Sequence, residues 1–143
     1  MAKLGYISVN LDKEQEKALS KDITALGLSP ISEYDFHVTL MFDERECDEK
    51  RCIINDAVIY EATVTGFQAL GKSICMNLYS RGLYKEFTRL VEAGYEHSFD
   101  GCHLHMSLVY KPNELELEVI KTGLDHWLGE TLRFSNETVR DCD

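Results

Sequence analysis

Apolar residues recur along the chain with two different periods, which predict strands that alternate with helices. Leu19, Ile23 and Leu26 recur at helical spacing, and Gly27 follows them as a stop signal. Asp12 and Gln15 form a capping-box pattern at the start of this predicted helix. A second amphipathic stripe at residues 83–91 predicts another helix.

β-Branched and aromatic residues predict strands between these helices. The predicted strands are residues 4–11, 36–42, 58–70, 73–80, 104–110 and 131–139. We expect a weak, highly charged helix at residues 47–57. A last helix is predicted to open at a capping box formed by Asn113 and Glu116. Its apolar face would consist of Leu117, Ile120, Leu124 and Trp127.

The two halves of the chain show the same predicted order of elements, β-α-β-α-β. His37 and His105 are 68 residues apart, and so are Thr63 and Thr131. This offset indicates an internal repeat. We therefore predict an α/β (α+β) fold for residues 1–143, a single domain made of two similar lobes at about 1–71 and 72–143. The strands would face a shared central cleft, and the helices would lie outside.

Composition narrows the classes of partner. The chain has 143 residues, of which 25 are acidic and 15 basic, so its net charge is −10. Such a charge disfavours long nucleic acid and anionic membranes, but a local pocket can still bind a small phosphorylated molecule because salt screens charges beyond ~8 Å. No apolar run approaches the ~18 residues needed to span a bilayer. The charged run at residues 43–51 predicts a solvated surface.

The cysteines and the N-terminal segment indicate the compartment. Five cysteines at irregular spacing form no metal-binding pattern and are interpreted as reduced thiols. The first ten residues lack the features of a secretory signal. We expect a cytoplasmic protein, in the host cytoplasm if a phage encodes it.

One chemical pattern occurs in both halves. Residues 36–40 read FHVTL and residues 104–108 read LHMSL, each an alternation of apolar residues with a histidine and a hydroxyl. Side chains of a strand alternate between its faces, so His37 and Thr39 share one face, and His105 and Ser107 do the same. A lone H-x-T is common by chance, whereas two copies at matching positions of a repeat indicate a function.

These paired motifs resemble those of the 2H phosphoesterase superfamily, which includes cyclic phosphodiesterases and RNA-processing phosphodiesterases. The resemblance covers the whole chain. Within the superfamily, the length, the acidic composition and the stretch YDFHVTLMFD at residues 34–43 are most similar to the phage anti-CBASS nucleases. Those enzymes degrade the cyclic oligonucleotide messengers of bacterial immunity. The resemblance implies the bilobal fold of this superfamily, with His37, Thr39, His105 and Ser107 as catalytic residues.

The residue types suit phosphodiester cleavage. In-line displacement requires a base on the attacking hydroxyl and an acid on the leaving oxygen, at opposite sides of phosphorus. Histidine, with an ordinary pKa of about 6.5, can take either role near neutral pH. We expect one of His37 and His105 to act as base and the other as acid, while Thr39 and Ser107 donate hydrogen bonds to non-bridging oxygens. No step requires a metal or another cofactor.

Three further features of the sequence are candidates for the site. Tyr6, on the first strand, is either a platform for a base or an ordinary half-buried tyrosine. Glu137, on the last strand, either accepts hydrogen bonds from a base or is a solvated carboxylate. His103 and His105 have a spacing that can bind metal, with His97 or an acidic residue as a third ligand.

The sequence leaves several functions open. We predict a metal-independent phosphodiesterase that acts on the 3′–5′ bonds of a small cyclic oligonucleotide. The alternatives are a 2′,3′-cyclic phosphodiesterase of RNA ends and a non-catalytic sponge that binds cyclic nucleotides. The base preference, the ring size and the oligomeric state cannot be predicted.

Overall fold

The computed structural model describes residues 4–31, 36–45, 54–98, 103–110 and 115–142. Six strands and three α-helices form a mixed α+β fold. The strands are Tyr6–Leu11 (β1), His37–Phe42 (β2), Tyr60–Leu70 (β3), Ser73–Tyr79 (β4), His105–Tyr110 (β5) and Thr131–Arg140 (β6). The helices are Lys13–Ala25 (α1), Arg81–Glu92 (α2) and Glu116–Gly123 (α3), and a 3-10 turn, Asp125–Trp127, follows α3.

The six strands pair antiparallel in one closed ring, in the order β1-β2-β5-β4-β3-β6. Exchanging β1 with β4, β2 with β5 and β3 with β6 leaves this circular order unchanged. The topology therefore has the internal twofold relation that the sequence repeat predicts. Neither half keeps its strands together, because β2 pairs with β5 and β6 lies between β1 and β3.

Local sequence explains where the first two helices begin. The Asp12 carboxylate accepts a hydrogen bond from the Gln15 backbone N–H (3.2 Å), which confirms Asp12 as the cap of α1. The Gln15 side chain does not close the predicted capping box, because it bonds the backbone of Thr131 and Arg133. Past the end of α1, Gly27 has a φ of 81°, a conformation that glycine adopts without strain. The Ser80 hydroxyl caps α2 in the same way, accepting from the Leu83 N–H (3.1 Å).

Two predictions for the connecting segments need correction. Residues 54–59, at the end of the predicted helix 47–57 and just beyond it, are not helical, and residues 46–53 lie outside the described part. The N-cap residue of α3 is Leu115, which makes no side-chain cap hydrogen bond, so the expected capping box does not start this helix. Asn113 itself lies outside the described residues.

The helices cover one face of the ring, and the core lies between them and the strands. Val38 of β2 and Met106 of β5 are fully buried in the same cluster as Leu19 of α1 and Leu90 of α2. Trp127 packs against this cluster, as its place in the apolar stripe predicted. In the described ranges, no helix is long and apolar enough to cross a bilayer.

Candidate active site

The two H-x-T/S motifs lie on neighbouring strands. Val38 of β2 stands directly opposite Met106 of β5, and both side chains point into the core. The histidine and the hydroxyl residue of each motif point to the opposite face of the sheet. On that face, all four are half-buried: His37, Thr39, His105 and Ser107. The pairing thus brings the motifs of both halves to one surface.

The antiparallel register sets the arrangement of these four side chains. Continued by one residue on either side of Val38–Met106, it places His37 across from Ser107 and Thr39 across from His105. The two histidines are then diagonal neighbours, with backbone positions roughly 7–8 Å apart. Two imidazoles at this separation can approach one phosphate from opposite sides.

A matching irregularity follows the hydroxyl residue in both halves. The β1–β2 register slips between Ile7 and Ser8, so that Leu40 has no direct partner. The β4–β5 register slips in the same way at Leu108. Leu40 and Leu108 are 68 residues apart, which is the spacing of the two histidines. Bulges of this kind redirect side chains and are common beside active sites.

A cavity of about 650 Å³ opens on this surface. It is lined by Tyr6, Thr39, Leu40, Phe42, Gln68, Leu70, Gly71, His97, His103 and His105. The sequence motifs account for Thr39 and His105. Gln68, Leu70 and Gly71 come from the end of β3 and the turn into β4, and no local motif could have assigned them to the site, because only the closed ring brings that turn to the histidines.

Tyr6 connects the two residues of the first motif. Its hydroxyl lies 3.1 Å from His37 Nε2 and 3.1 Å from Thr39 Oγ1. The guanidinium of Arg140 covers the Tyr6 ring, 4.5 Å from its centroid, and Phe42 meets the ring edge-on. Tyr6 is therefore a half-buried tyrosine with a polar contact to the motif, and one face of its ring is already covered by Arg140.

The second motif has a different neighbour at the matching place. The register puts Ser73 of β4 where β1 has Tyr6. The Ser107 hydroxyl donates to Ser73 Oγ (3.4 Å) and lies 3.7 Å from the Cys75 thiol. Hydroxyl groups thus meet in both halves, but only the first half supplies a phenol that also reaches its histidine.

The ring of His105 is held by a backbone carbonyl two residues earlier in the chain. Its Nδ1 lies 2.8 Å from the carbonyl oxygen of His103. Since a carbonyl oxygen only accepts, Nδ1 carries the hydrogen of this bond. The proton-transfer chemistry of His105 then falls to Nε2.

His97 is a cavity residue that the motifs did not identify as part of a nucleotide site. The Phe42 N–H donates to His97 Nδ1 (2.9 Å), and the ring meets Phe87 edge-on. Burial lowers the pKa of His97, and the nearby charge of His103 lowers it further, while Asp43 acts in the opposite direction. Since Nδ1 accepts the hydrogen bond from Phe42, it carries no hydrogen, and the ring at the wall of the cavity is a neutral imidazole.

A comparison with known protein families identifies the family of this chain. The family model described as anti-CBASS protein Acb1 matches residues 3–142, which is nearly the whole chain. The chain belongs to the Acb1 family. Membership indicates anti-CBASS activity, and hence a function directed at cyclic oligonucleotide signals. No curated protein matches the sequence.

Glu137 is not brought together with the histidines of this Acb1-family protein. It is 1% exposed, so the expectation of a solvated carboxylate is wrong. Its oxygens accept hydrogen bonds from the Asn55 N–H (3.1 Å) and the Tyr60 hydroxyl (3.3 Å). It lies beside Glu86 and Arg89 and is absent from the lining of the histidine cavity. Its role as a substrate-binding residue has no support from this placement.

The H-x-H pair lies at the cavity. His103 and His105 line it together with His97. Among the described residues, no three histidine, cysteine, aspartate or glutamate side chains group as metal ligands. The third ligand that this interpretation needs is therefore not supplied by the described part of the chain.

Proposed function

We propose that this member of the Acb1 family is a phosphodiesterase that cleaves 3′–5′ bonds of cyclic oligonucleotides. The observation that carries the proposal is the placement of both H-x-T/S motifs on neighbouring strands, facing one surface beside a cavity of about 650 Å³. The proposal includes the bilobal 2H-phosphoesterase fold, which the internal twofold order of the ring supports.

In the proposed reaction, the ribose 2′-hydroxyl attacks the adjacent phosphorus. One of His37 and His105 takes the proton of that hydroxyl as the new P–O2′ bond forms. The other histidine gives a proton to the 5′-oxygen as the P–O5′ bond breaks. The products are a 2′,3′-cyclic phosphate and a 5′-hydroxyl, so the ring is opened into a linear molecule.

The hydroxyls of Thr39 and Ser107 complete this assignment. Each lies across the strand pair from the histidine of the other half, so a phosphate between the histidines is within reach of both hydroxyls. They would donate hydrogen bonds to the non-bridging oxygens, where negative charge grows in the transition state. To do so, Ser107 exchanges its bond to Ser73 for a bond to the phosphate.

The test is incubation of the purified protein with cyclic di- and trinucleotides and with a 2′,3′-cyclic mononucleotide, with and without EDTA. We expect linear products from the cyclic oligonucleotides, whether or not EDTA is present. Opening of the 2′,3′-cyclic phosphate alone would indicate an enzyme of RNA ends, and tight binding with no product would indicate a sponge. Loss of cleavage with EDTA would contradict the metal-independent mechanism.

A further inference from the structure

We propose that His103 binds a second, non-scissile phosphate and so makes the site selective for rings that carry two or more phosphates. The inference rests on the proposed function of the same cavity and specifies its substrate. A substrate with one phosphate would use only the paired motifs. A cyclic dinucleotide would also contact His103.

The charge of the cavity supports an anionic ligand. The chain carries ten more acidic than basic side chains, yet among the described residues none of those that line the cavity is an aspartate or glutamate. Three of the lining side chains are imidazoles, those of His97, His103 and His105. Because an acidic protein binds anions only where its own carboxylates are kept away, this wall is suited to phosphate.

The position of His103 suits a second phosphate. It lies two residues before His105, and two residues of extended chain span at most about 7 Å. Successive phosphates of a nucleotide chain, joined by one nucleoside, have a comparable separation. The bond from His105 Nδ1 to the His103 carbonyl (2.8 Å) fixes the two residues relative to each other. When His105 contacts the scissile phosphate, His103 is placed for the next one.

His103 is better suited to this contact than the third imidazole. His97 is partly buried, its Nδ1 is engaged by the Phe42 N–H, and its pKa is lowered. By contrast, the side chain of His103 is exposed at the cavity. An exposed imidazole can donate a ring N–H to a phosphate, and a hydrogen bond to a charged group is stronger than one between neutral groups.

The experiment compares two substrates that differ in the number of phosphates. Cyclic di-AMP has two, and the linear dinucleoside monophosphate ApA has one, with the same 2′-hydroxyl and 3′–5′ linkage. The variants are His103→Ala, which keeps the backbone carbonyl that holds His105, and His103→Lys, which supplies a side chain that can donate to phosphate. His126→Ala is the matched control, because His126 is an exposed histidine that contacts Asp22 and does not line the cavity.

For His103→Ala we expect KM for cyclic di-AMP to rise about tenfold to a hundredfold, because one hydrogen bond to a charged phosphate is lost, with kcat nearly unchanged. Cleavage of ApA should stay at the wild-type level, and His103→Lys should recover most of the affinity for the ring. The inference is overturned if His103→Ala leaves both substrates unaffected or weakens both equally.

A binding measurement separates this inference from the proposed function. The 2′-deoxy form of cyclic di-AMP lacks the nucleophile and cannot be cleaved by the proposed route. If wild-type protein cleaves nothing but binds this analogue, and His103→Ala weakens the binding tenfold or more, the phosphate contact stands while the catalytic proposal fails. Cleavage by the wild type with unchanged analogue binding in His103→Ala contradicts the contact alone.

Discussion

A single hydroxyl distinguishes the two halves of the site. Tyr6 reaches both His37 Nε2 and Thr39 Oγ1, whereas Ser73, at the equivalent position, reaches Ser107. The first histidine is thus oriented by a side chain and the second by the carbonyl of His103. The unequal neighbours give a physical basis for unequal roles in acid–base catalysis.

Replacing Tyr6 by phenylalanine tests this orienting role. Tyr6→Phe removes the hydroxyl but keeps the ring under Arg140 and against Phe42. We expect kcat to fall about fivefold, since one hydrogen bond contributes about 1 kcal/mol, while KM stays near the wild-type value. Steady-state kinetics on cyclic di-AMP measures both constants. Tyr79→Phe, at a tyrosine that is 54% exposed, is the control. A rise in KM alone would assign Tyr6 to binding.

Asp43 shows where sequence analysis was misled at this scale. It begins a run of charges that predicts a solvated surface, yet its side chain is fully buried. Its carboxylate accepts hydrogen bonds from the Arg45 side chain (2.9 and 3.0 Å) and from the Glu96 N–H (2.8 Å). Glu96 is distant in sequence, and Arg45 lies within the charged run, where it does not stand out from its charged neighbours. No local pattern could therefore identify this contact.

Asp43→Asn should destabilise the protein because it removes the buried carboxylate from its pair with Arg45, which keeps its contact with the exposed Glu96 side chain. Removing one partner of a buried ion pair costs about 3–5 kcal/mol, and the partial exposure of Arg45 places this pair at the lower end. Urea unfolding monitored by circular dichroism gives the change in free energy. Glu44→Gln, at an exposed neighbour, should change it by less than about 0.5 kcal/mol. Equal effects of the two substitutions would contradict the buried contact.

At the scale of elements, α2 and β6 meet through a buried polar cluster. Glu86 of α2 is 3% exposed and binds Arg89 through two hydrogen bonds of 2.6 Å, and Glu137 of β6 lies beside this pair. Burial raises the pKa of Glu137 to about 7, and its hydrogen bond with Glu86 contributes in the same direction. The pKa of Glu86 is lowered, because Arg89 and its other hydrogen-bond partners outweigh the opposing effect of burial.

These shifts predict how stability depends on pH. Because the pKa of Glu137 is raised in the folded protein, its contribution to the free energy of unfolding is complete below the ordinary pKa of 4.5. This contribution is lost as pH rises through about 7. Glu137→Gln stays neutral, so the free energy of unfolding should fall less between pH 5 and pH 8 in this variant than in the wild type. Urea titrations at several pH values measure the difference. Parallel curves would contradict the raised pKa, and Glu130→Gln, at an exposed glutamate, is the control.

The elements also show which features a sequence can predict. The cap of α1 lies within four residues, from Asp12 to Gln15, so its signal is local and the prediction is confirmed. The period-two alternation of the motifs is equally local. It predicted that the histidines lie on the face of the sheet opposite the buried apolar residues, as they do. The closed ring, the paired bulges and the Glu86–Glu137 contact depend on residues far apart in sequence. No short-range pattern encodes them.

At the scale of the whole molecule, strands from the two halves are interleaved around the ring, so the halves depend on each other for folding. Four of the six strand pairs join one half of the chain to the other: β2–β5, β3–β4, β3–β6 and β1–β6. Each half alone would keep one antiparallel strand pair, β1–β2 or β4–β5, and expose the other edges of its strands. Stability must therefore arise from both halves together.

Separate expression of residues 1–71 and 72–143 tests this dependence. We expect each half alone to show little secondary structure by circular dichroism and to be cleaved rapidly by protease. Mixing the halves should restore protease resistance, because only then can the inter-half pairs form. A stable, folded half on its own would show that the ring is not the unit that folds.

The central claim is that His37 and His105 act together on one phosphate. The most direct measurement is cleavage of cyclic di-AMP by the wild type and by His37→Ala, His105→Ala and the double variant, with His126→Ala as the control. Each single replacement should reduce kcat by ~10²–10⁴-fold, and the double variant should lose much less than the product of the two effects. Wild-type cleavage by either single variant would contradict the account.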